Sequence, residues 1–520
     1  MTMARLSFKP DSSFFRKIVI GAVGARGVCS DLAGRGHEVV ELERGATDTK
    51  LWKDVKRKRV RIPDLVCSRC GVRVECRTKT SPELSMSHSP TDAERAWDYG
   101  MVDGDWIAFP VCLADEDDDW SRGALARDVS YWRQENRSRW QVAGHVNYFR
   151  VGSFRASLHA RSSTKSGEEG AETFIGWDAI FSSRDGVVEA VAQPGARSSG
   201  SITVRRHADG HAYTWRVKPG SQVAVSVGDA VVDRQVLASP VTPLTSTELV
   251  CAGSLPTNHL AFLLQSRERT QRFAGVKLAR LRGDGSSREA ITSLHRDPEE
   301  DVYVRLEAAS YLASVCACPA SDAFGAYLAS ADEQTQLEAV IALGEAATDS
   351  SVALLSEFVS DPGKPYFLRS AAAWSLSQTG SGAATQALIR TFGDVDLALR
   401  EEALDGLVSL GAGTQSLLLS GLHDADAAVR AGCAEALRQH GDLPGPLAAD
   451  LIAELRSPET EPWAVWLAGQ LPREHFRAAI SELQERKPEL HYALSLLWSF
   501  VESWIARHWE LHPAARWVPA

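Results

Sequence analysis

The stretch "RIPDLVCSRCGVRVECRTK", residues 61–79, decides how the N-terminal region is read. Pro63 and Asp64 are followed by Glu75, then by Arg77 and Lys79 at alternate positions. A β-strand has a period of two, so Glu75, Arg77 and Lys79 share one face if residues 72–79 are extended. Between the two acids lies a CxxCG turn, with Cys67 and Cys70. Three chemistries compete for such a hairpin: a metal-dependent phosphodiester site, a zinc knuckle, or a strand pair with alternating surface charge. For the first, carboxylates from neighbouring strands hold a divalent cation that binds the scissile phosphate and acidifies a water. Mg²⁺ or Mn²⁺ suits an oxygen donor set. For the second, a structural Zn²⁺ takes four ligands. Cys67 and Cys70 supply two, and Cys29, Cys76, Cys112 and His88 could complete the set only by long-range folding. The plain alternative is two small residues shaping a turn.

Outward from the hairpin, residues 14–36 read as a helix and 37–44 as a strand. Residues 59–66 and 72–79 form the hairpin, 90–101 a helix, and 105–113 a buried strand. This αβββαβ order, with Pro-Asp and then an acid-x-cation on adjoining strands, resembles the restriction-endonuclease-like, or PD-(D/E)XK, nucleases. The resemblance implies an α/β nuclease-like core acting on DNA, with Asp64 and Glu75 as metal ligands. It makes Glu41 or Glu43 a candidate third carboxylate, while the preceding helix offers only Asp31. The sequence departs from the pattern at the lysine, where Arg77 stands. Arginine cannot give up a proton and serves as a phosphate clamp, which leaves Lys79 for a base-like role. Should neither cation reach the acids, the fold is an inactive nuclease that binds nucleic acid as an adaptor.

A rival parse covers "KIVIGAVGARGVCSDLAGRGHEVVELER" (17–44). Read as strand, turn at Gly21, Gly24 and Gly27, helix and second strand, it has the form of an NAD(P)-binding Rossmann unit, with Glu41 or Glu43 at the ribose distance. The chain then continues into a basic run and a hairpin rather than into further βαβ units.

Charge is divided along the chain. Residues 1–80 hold 18 Lys and Arg against 9 Asp and Glu, and residues 285–460 hold 10 against 26. The basic end is suited to a polyanion and the acidic part is not. "KLWKDVKRKRVR" (50–61) is the densest run, making Lys53, Lys56, Arg57, Lys58, Arg59 and Arg61 the expected nucleic-acid contacts. Nine scattered cysteines fit a reducing, cytoplasmic setting. No apolar run is long enough to cross a membrane.

The C-terminal half is repetitive. "VRLEAASYLAS" (304–314), "TQLEAVIALGE" (335–345), "LRSAAAWSLSQ" (368–378), "LREEALDGLVS" (399–409) and "VRAGCAEALRQ" (429–439) share one pattern, with "EPWAVWLAGQL" (461–471) as a degenerate copy. Arg305, Gln336, Arg369, Arg400 and Arg430 recur about every thirty residues, a period that means stacked helix pairs. The pattern resembles HEAT-like repeats, which implies a solenoid that binds a protein partner. The middle region is β-rich, and "PGSQVAVSVGDAVVDRQVLASP" (219–240) is similar to the hammerhead barrels of biotinyl and lipoyl domains. Carrier proteins of that family present a lysine on an exposed hairpin, whereas the turn here, "HADGHA" (207–212), has none, which leaves a structural barrel or one that docks nucleic acid or protein. The expected layout is a nuclease-like domain at 1–118, a β-barrel or sandwich at 119–280, a HEAT-like solenoid at 285–475, and a Trp-rich helical cap at 476–520.

Overall fold

The computed structural model describes residues 12–47, 62–89, 91–114, 140–157, 160–167, 170–244, 248–440, 445–458, 460–471 and 473–508. The basic positions Lys53, Lys56, Arg57, Lys58, Arg59 and Arg61 lie outside the described residues. The chain divides into two compact units, Met1–Ala308 and Ala309–Ala520.

The first unit is built on a mixed five-stranded sheet. Its strands are β1 (Val39–Glu41), β2 (Leu65–Cys67), β3 (Arg73–Cys76), β5 (Trp106–Phe109) and β8 (Asn147–Arg150), in that spatial order. β3 and β5 run parallel, and the other neighbours are antiparallel. Between β3 and β5 the chain makes β4 (Leu84–Ser87), and after β5 it makes β6 (Cys112–Ala114), which pairs with β7 (Trp140–Val142). Strands from both sides of residue 118 thus share one sheet.

Helix α1 (Ser12–Gly34) covers one face of this sheet. Its Val28 and Leu32 form a core with Leu65, Val74, Trp106, Ala108 and Tyr148. Gly21, Gly24 and Gly27 lie within this one helix, so the strand-turn-helix parse of a dinucleotide fold is corrected. Two of these glycines serve packing instead. A Cβ on Gly24 would fall 1.9 Å from the Thr78 hydroxyl oxygen, and one on Gly27 would fall 2.3 Å from Val142. On the opposite face Ile107, Phe109 and Phe149 meet Leu84, Met86, Trp97, Trp177 and Phe154, the last on the short helix α2 (Val151–Ala156).

The helix expected over 90–101 is reduced to a 3₁₀ turn, Ala93–Arg95. Gly100 has φ +78°, which ends any helical run, and Arg155 holds the Asp98 carboxylate at 2.8 Å and the Asp103 carboxylate at 2.6 Å. Next comes the β-rich region, where β9 (Arg161–Gly167) and β10 (Gly170–Trp177) join β4 in a three-stranded sheet. Two further sheets share a core of Val188, Ile202, Val204, Val217, Val225, Val231 and Leu237. One orders β14 (Ala212–Val217), β13 (Gly200–Arg206), β12 (Gly186–Ala192) and β16 (Ala230–Val231); the other orders β11 (Ile180–Phe181), β17 (Val236–Ser239) and β15 (Gln222–Val223). Helices α3 (His259–Leu264), α4 (Arg269–Leu281) and α5 (Arg288–Arg296) lie beyond them in the same unit.

The second unit is a stack of helix pairs. Ala-rich helices Glu333–Ala346, Tyr366–Thr379, Leu397–Leu410 and Ala427–Gln439 pack side by side, each alternating with a partner helix such as Asp349–Ser360 or Gly382–Thr391. Asp332, Asp396 and Asp426 cap the helices they precede by accepting from backbone amides. The recurrent Arg or Gln has a uniform task. Gln336 Nε2 donates to Leu328 O at 3.0 Å, Arg369 Nε to Val359 O at 2.9 Å, and Arg430 Nη1 to Asp424 O at 2.8 Å. Arg400 Nε donates to Asp394 O, and in the first unit Arg305 Nε reaches His295 O at 3.2 Å. Helix C-termini and the turns after them leave carbonyls without intrahelical donors, and a long cationic or amide side chain on the next helix supplies one. At the end of the stack, helix Pro488–His508 packs on Pro462–Gln470, with the Trp498 indole N–H donating to Ala468 O at 3.0 Å.

Arg369 is the most buried of these recurrent cations in the second unit and also pairs with Asp394. Removing one partner of a buried pair costs about 3–5 kcal/mol. Arg369→Ala should therefore lower the midpoint of the helical unfolding transition followed by circular dichroism far more than Asp396→Ala, a cap loss of ~1 kcal/mol.

Candidate functional site

Pairing of β2 with β3 sets Leu65 opposite Val74 and Val66 opposite Arg73. One step further along this register, Asp64 comes beside Glu75. Asp64 Oδ2 accepts from the Cys76 backbone N–H at 2.7 Å, which pins the carboxylate against β3. Glu75 is buried, and burial raises its carboxyl well above the usual range; Arg77 opposes this, while the nearby charges of Asp64 and Glu43 add to it. Burial also raises the Cys76 thiol, with Asp64 and Glu75 reinforcing the effect. Negative charge thus gathers around Glu75. Arg77 Nη2 lies 3.1 Å from Glu75 Oε1 and donates to Trp97 O at 3.2 Å, while its buried Nε makes no hydrogen bond.

The remaining expected site residues are placed differently. Glu41 closes the turn after β1, accepting from the amides of Gly45 at 3.0 Å and Thr47 at 2.7 Å. Asp31 on α1 accepts from the Tyr148 hydroxyl at 2.8 Å and pairs with Arg35 at 2.8 Å. Lys79 donates to Ser85 Oγ at 2.9 Å and sits 3.5 Å from Glu83. Arg77, rather than Lys79, is thus the cation placed against Glu75. Two residues that pattern reading passes over sit alongside. Arg73 makes a buried two-pronged pair with Asp105, at 2.8 and 2.6 Å. Lys277 on α4 is buried with Nζ 3.4 Å from Leu42 O, next to Glu43. Its signal in sequence is a lysine on the inner face of an amphipathic helix, a weak cue from a residue about two hundred positions away.

The donor set of Asp64, Glu75 and Glu43 is all oxygen and net negative, which fits a hard divalent cation. These acids do not meet closely enough to form a ready-made cage; among the described residues one group does so, and its donors are of another kind. That group is His37, Cys67, Cys70 and Cys251, whose ligand atoms all lie within 4.8 Å of one another. Cys67 and Cys70 come from the CxxCG turn, but the completing residues are His37 and Cys251. Cys29, Cys76, Cys112 and His88 lie elsewhere: Cys112 Sγ, for example, points to Ile20 O at 3.8 Å. In the turn, Cys67 N donates to Val72 O at 2.8 Å and Gly71 N to Cys67 O at 2.9 Å. Gly71 has φ +75°, and a Cβ there would lie 2.7 Å from Leu255, so glycine is required twice over. Burial works to raise the Cys67 thiol, yet backbone groups of Cys70, Arg69 and Glu38 outweigh it and hold the thiol below its ordinary value. Burial pushes Cys70 up to about 12.

Residues 321–408 match the family model described as HEAT repeats. No curated protein matches the chain. Among solved structures, the chain is similar to an archaeal HEAT-like repeats protein from Thermococcus onnurineus NA1, at 14% identity and TM-score 0.22 over 42% of this chain and 97% of that one. It is also similar to the complex of CpcE and CpcF of phycocyanin lyase from Nostoc sp., at 20% identity and TM-score 0.21 over 40% and 94%. Human deoxyhypusine hydroxylase matches at 16% identity and TM-score 0.20 over 47% and 95%. The helical C-terminal region thus contains HEAT repeats, and such repeats form protein-interaction solenoids. Among the described residues no helix is long and apolar enough to cross a membrane.

Because burial and neighbouring acids penalise the charged form of Glu75 more than Arg77 relieves it, a neutral side chain of the same shape should be tolerated. Glu75→Gln is expected to keep or raise the thermal midpoint of the full chain. A fall of several degrees in a melting scan would show that the Glu75 charge stabilises the fold.

Proposed function

We propose that the sheet-rich unit is a nuclease-like module that acts on DNA phosphodiester bonds with Mg²⁺ or Mn²⁺, and that the HEAT solenoid docks a protein partner. The observation that supports this most is the carboxylate pair on adjoining strands, Asp64 beside Glu75, with Glu43 within electrostatic reach and Arg77 as the neighbouring cation. Asp64, Glu75 and Glu43 are the residues that would hold the metal. A divalent ion bound there would neutralise phosphate charge and acidify a water. Arg77 has a fork-shaped guanidinium, a shape suited to gripping a phosphate oxygen. Lys79, tied to Ser85 and Glu83, acts in this reading by holding the β3–β4 connection rather than by moving a proton. The β-rich region reads as a hammerhead-type barrel with a structural role.

A second reading is an adaptor that binds nucleic acid without cleaving it. The observation favouring it is the Glu75–Arg77 ion pair, which engages the guanidinium with the protein's own acid rather than leaving it for a phosphate. Plasmid incubation with Mg²⁺ or Mn²⁺ separates the two. In the first reading cleavage is metal-dependent and falls by about a hundredfold or more in Asp64→Ala and Glu75→Gln, the scale of losing a transition-state contact. Absence of cleavage with intact, salt-sensitive binding would leave the adaptor.

Whichever reading holds, the run at 50–61 is expected to supply phosphate contacts. Replacing Lys56, Arg57, Lys58 and Arg59 together by glutamine should flatten the slope of log affinity against log salt by up to about 3.6, at roughly 0.9 per contact on duplex DNA. An unchanged slope in a fluorescence-anisotropy titration would place the DNA contact elsewhere.

A further inference from the structure

We propose that His37, Cys67, Cys70 and Cys251 form a tetrahedral structural zinc site that fastens the segment after the β-rich region onto the edge of the five-stranded sheet. The four donors come from three places far apart in sequence: the approach to β1, the β2–β3 turn, and the stretch leading to α3. All four ligand atoms lie within 4.8 Å of one another, and two of their separations match the edges of a coordination polyhedron. With Zn–S near 2.3 Å and Zn–N near 2.05 Å, a tetrahedron has S···S edges of about 3.8 Å and S···N edges of about 3.5 Å. In the structure Cys67 Sγ and Cys251 Sγ are 3.9 Å apart, and Cys70 Sγ and His37 Nδ1 are 3.5 Å apart.

Neither a disulfide nor a chance gathering of thiols fits the cluster as well. A disulfide between Cys67 and Cys251 would need a sulfur separation near 2.05 Å, about half the distance present, and every cysteine described is free. A chance gathering of apolar thiols would not need the surrounding backbone. Gly71 opens its left-handed turn immediately after Cys70, and Gly36, at φ +83° just before His37, is placed so that a Cβ would meet Cys251 at 3.9 Å. Cys251 N donates to Arg35 O at 3.4 Å, and Gly253 N approaches Cys251 Sγ at 3.4 Å. Three thiolates and one imidazole, largely buried, select a borderline-soft ion of tetrahedral habit. Four protein ligands leave no open position, so the ion holds structure rather than reacting.

What the ion would hold is visible nearby. Beyond Cys251 the chain enters α3 and α4, and Arg282, just past α4, donates to Ser68 O at 3.0 Å inside the CxxC turn. His259 on α3 lies over Gly71, its Nε2 3.2 Å from where a Cβ would stand. The site therefore ties the helices that carry Lys277 to the strands that carry Asp64 and Glu75. It shares no ligand with the acid pair, so its presence or absence does not depend on the nuclease reading.

Elemental analysis of the full chain, purified without chelator, is expected to find about one zinc per chain, and Cys112→Ser, outside the cluster, to retain it. Cys251→Ser should weaken zinc retention against a chromophoric chelator at least about tenfold, by analogy with the cost of disturbing a metal's supporting shell. Since that variant could misfold, cobalt exchange in the unaltered chain gives a second reading: an intense tetrahedral ligand-field band with thiolate charge transfer. Hydrogen exchange at residues 62–72 and 248–260 should rise when the metal is removed. Zinc absent both as purified and after refilling, iron in its place, full retention in Cys251→Ser, or a weak octahedral cobalt spectrum would each overturn the proposal.

Discussion

The antiparallel register of β2 against β3 is the constraint on which the first unit depends. Setting Leu65 against Val74 puts apolar side chains under α1 and brings Asp64 to the backbone of Cys76, beside Glu75. The same register leaves five residues, 68–72, to close the hairpin, and the CxxCG turn does so with Gly71 in the left-handed region. A slip by one residue would exchange the faces of the strand. It would turn Arg73 and Glu75 toward α1 and Val74 away from it. The acid pair and the thiol turn are thus two ends of one short hairpin, both placed by this register.

Charge in this region is balanced by long-range partners rather than by solvent. Arg73 is fixed by Asp105 at the start of β5, and Arg44 and Arg280 both converge on the buried Glu307 carboxylate. Glu75 stands apart, with the charges of Asp64 and Glu43 working against its ionised form and Arg77 working for it. Buried groups whose charge is poorly compensated are uncommon outside sites that meet a ligand.

Much of this was legible in the sequence where the determinants are local. The repeat spacing anchored on Arg305, Gln336, Arg369, Arg400 and Arg430 marks the helix pairs, because each repeat must present the same donor to the same kind of carbonyl. Period-two alternation at Glu75 and Arg77 likewise places them on one face. What was not legible depends on distance along the chain. His37 and Cys251 are separated by more than two hundred residues, and nothing in local spacing joins them to Cys67 and Cys70. Residues 90–101 have helical periodicity, yet only Ala93–Arg95 make a helical turn, and Trp97 and Met101 pack into the core under the sheet. The glycines of α1 fit a phosphate-binding motif equally well as a string of letters; only the close approach of Gly24 to Thr78 and of Gly27 to Val142 shows that these two are there for packing.

The side-chain rungs between successive helices of the solenoid carry a consequence for how such an arm changes length. Each rung joins a donor near the start of one helix to a carbonyl in the last turn of the helix before it or in the loop that follows that helix, so the joint is of one kind wherever the chain is cut in phase. Duplication or excision of a whole repeat restores every joint, whereas a partial insertion orphans one donor and one carbonyl together. Growth and shrinkage of the arm are therefore quantised in whole repeats, which gives evolution a ruler for matching its span to whatever it grasps.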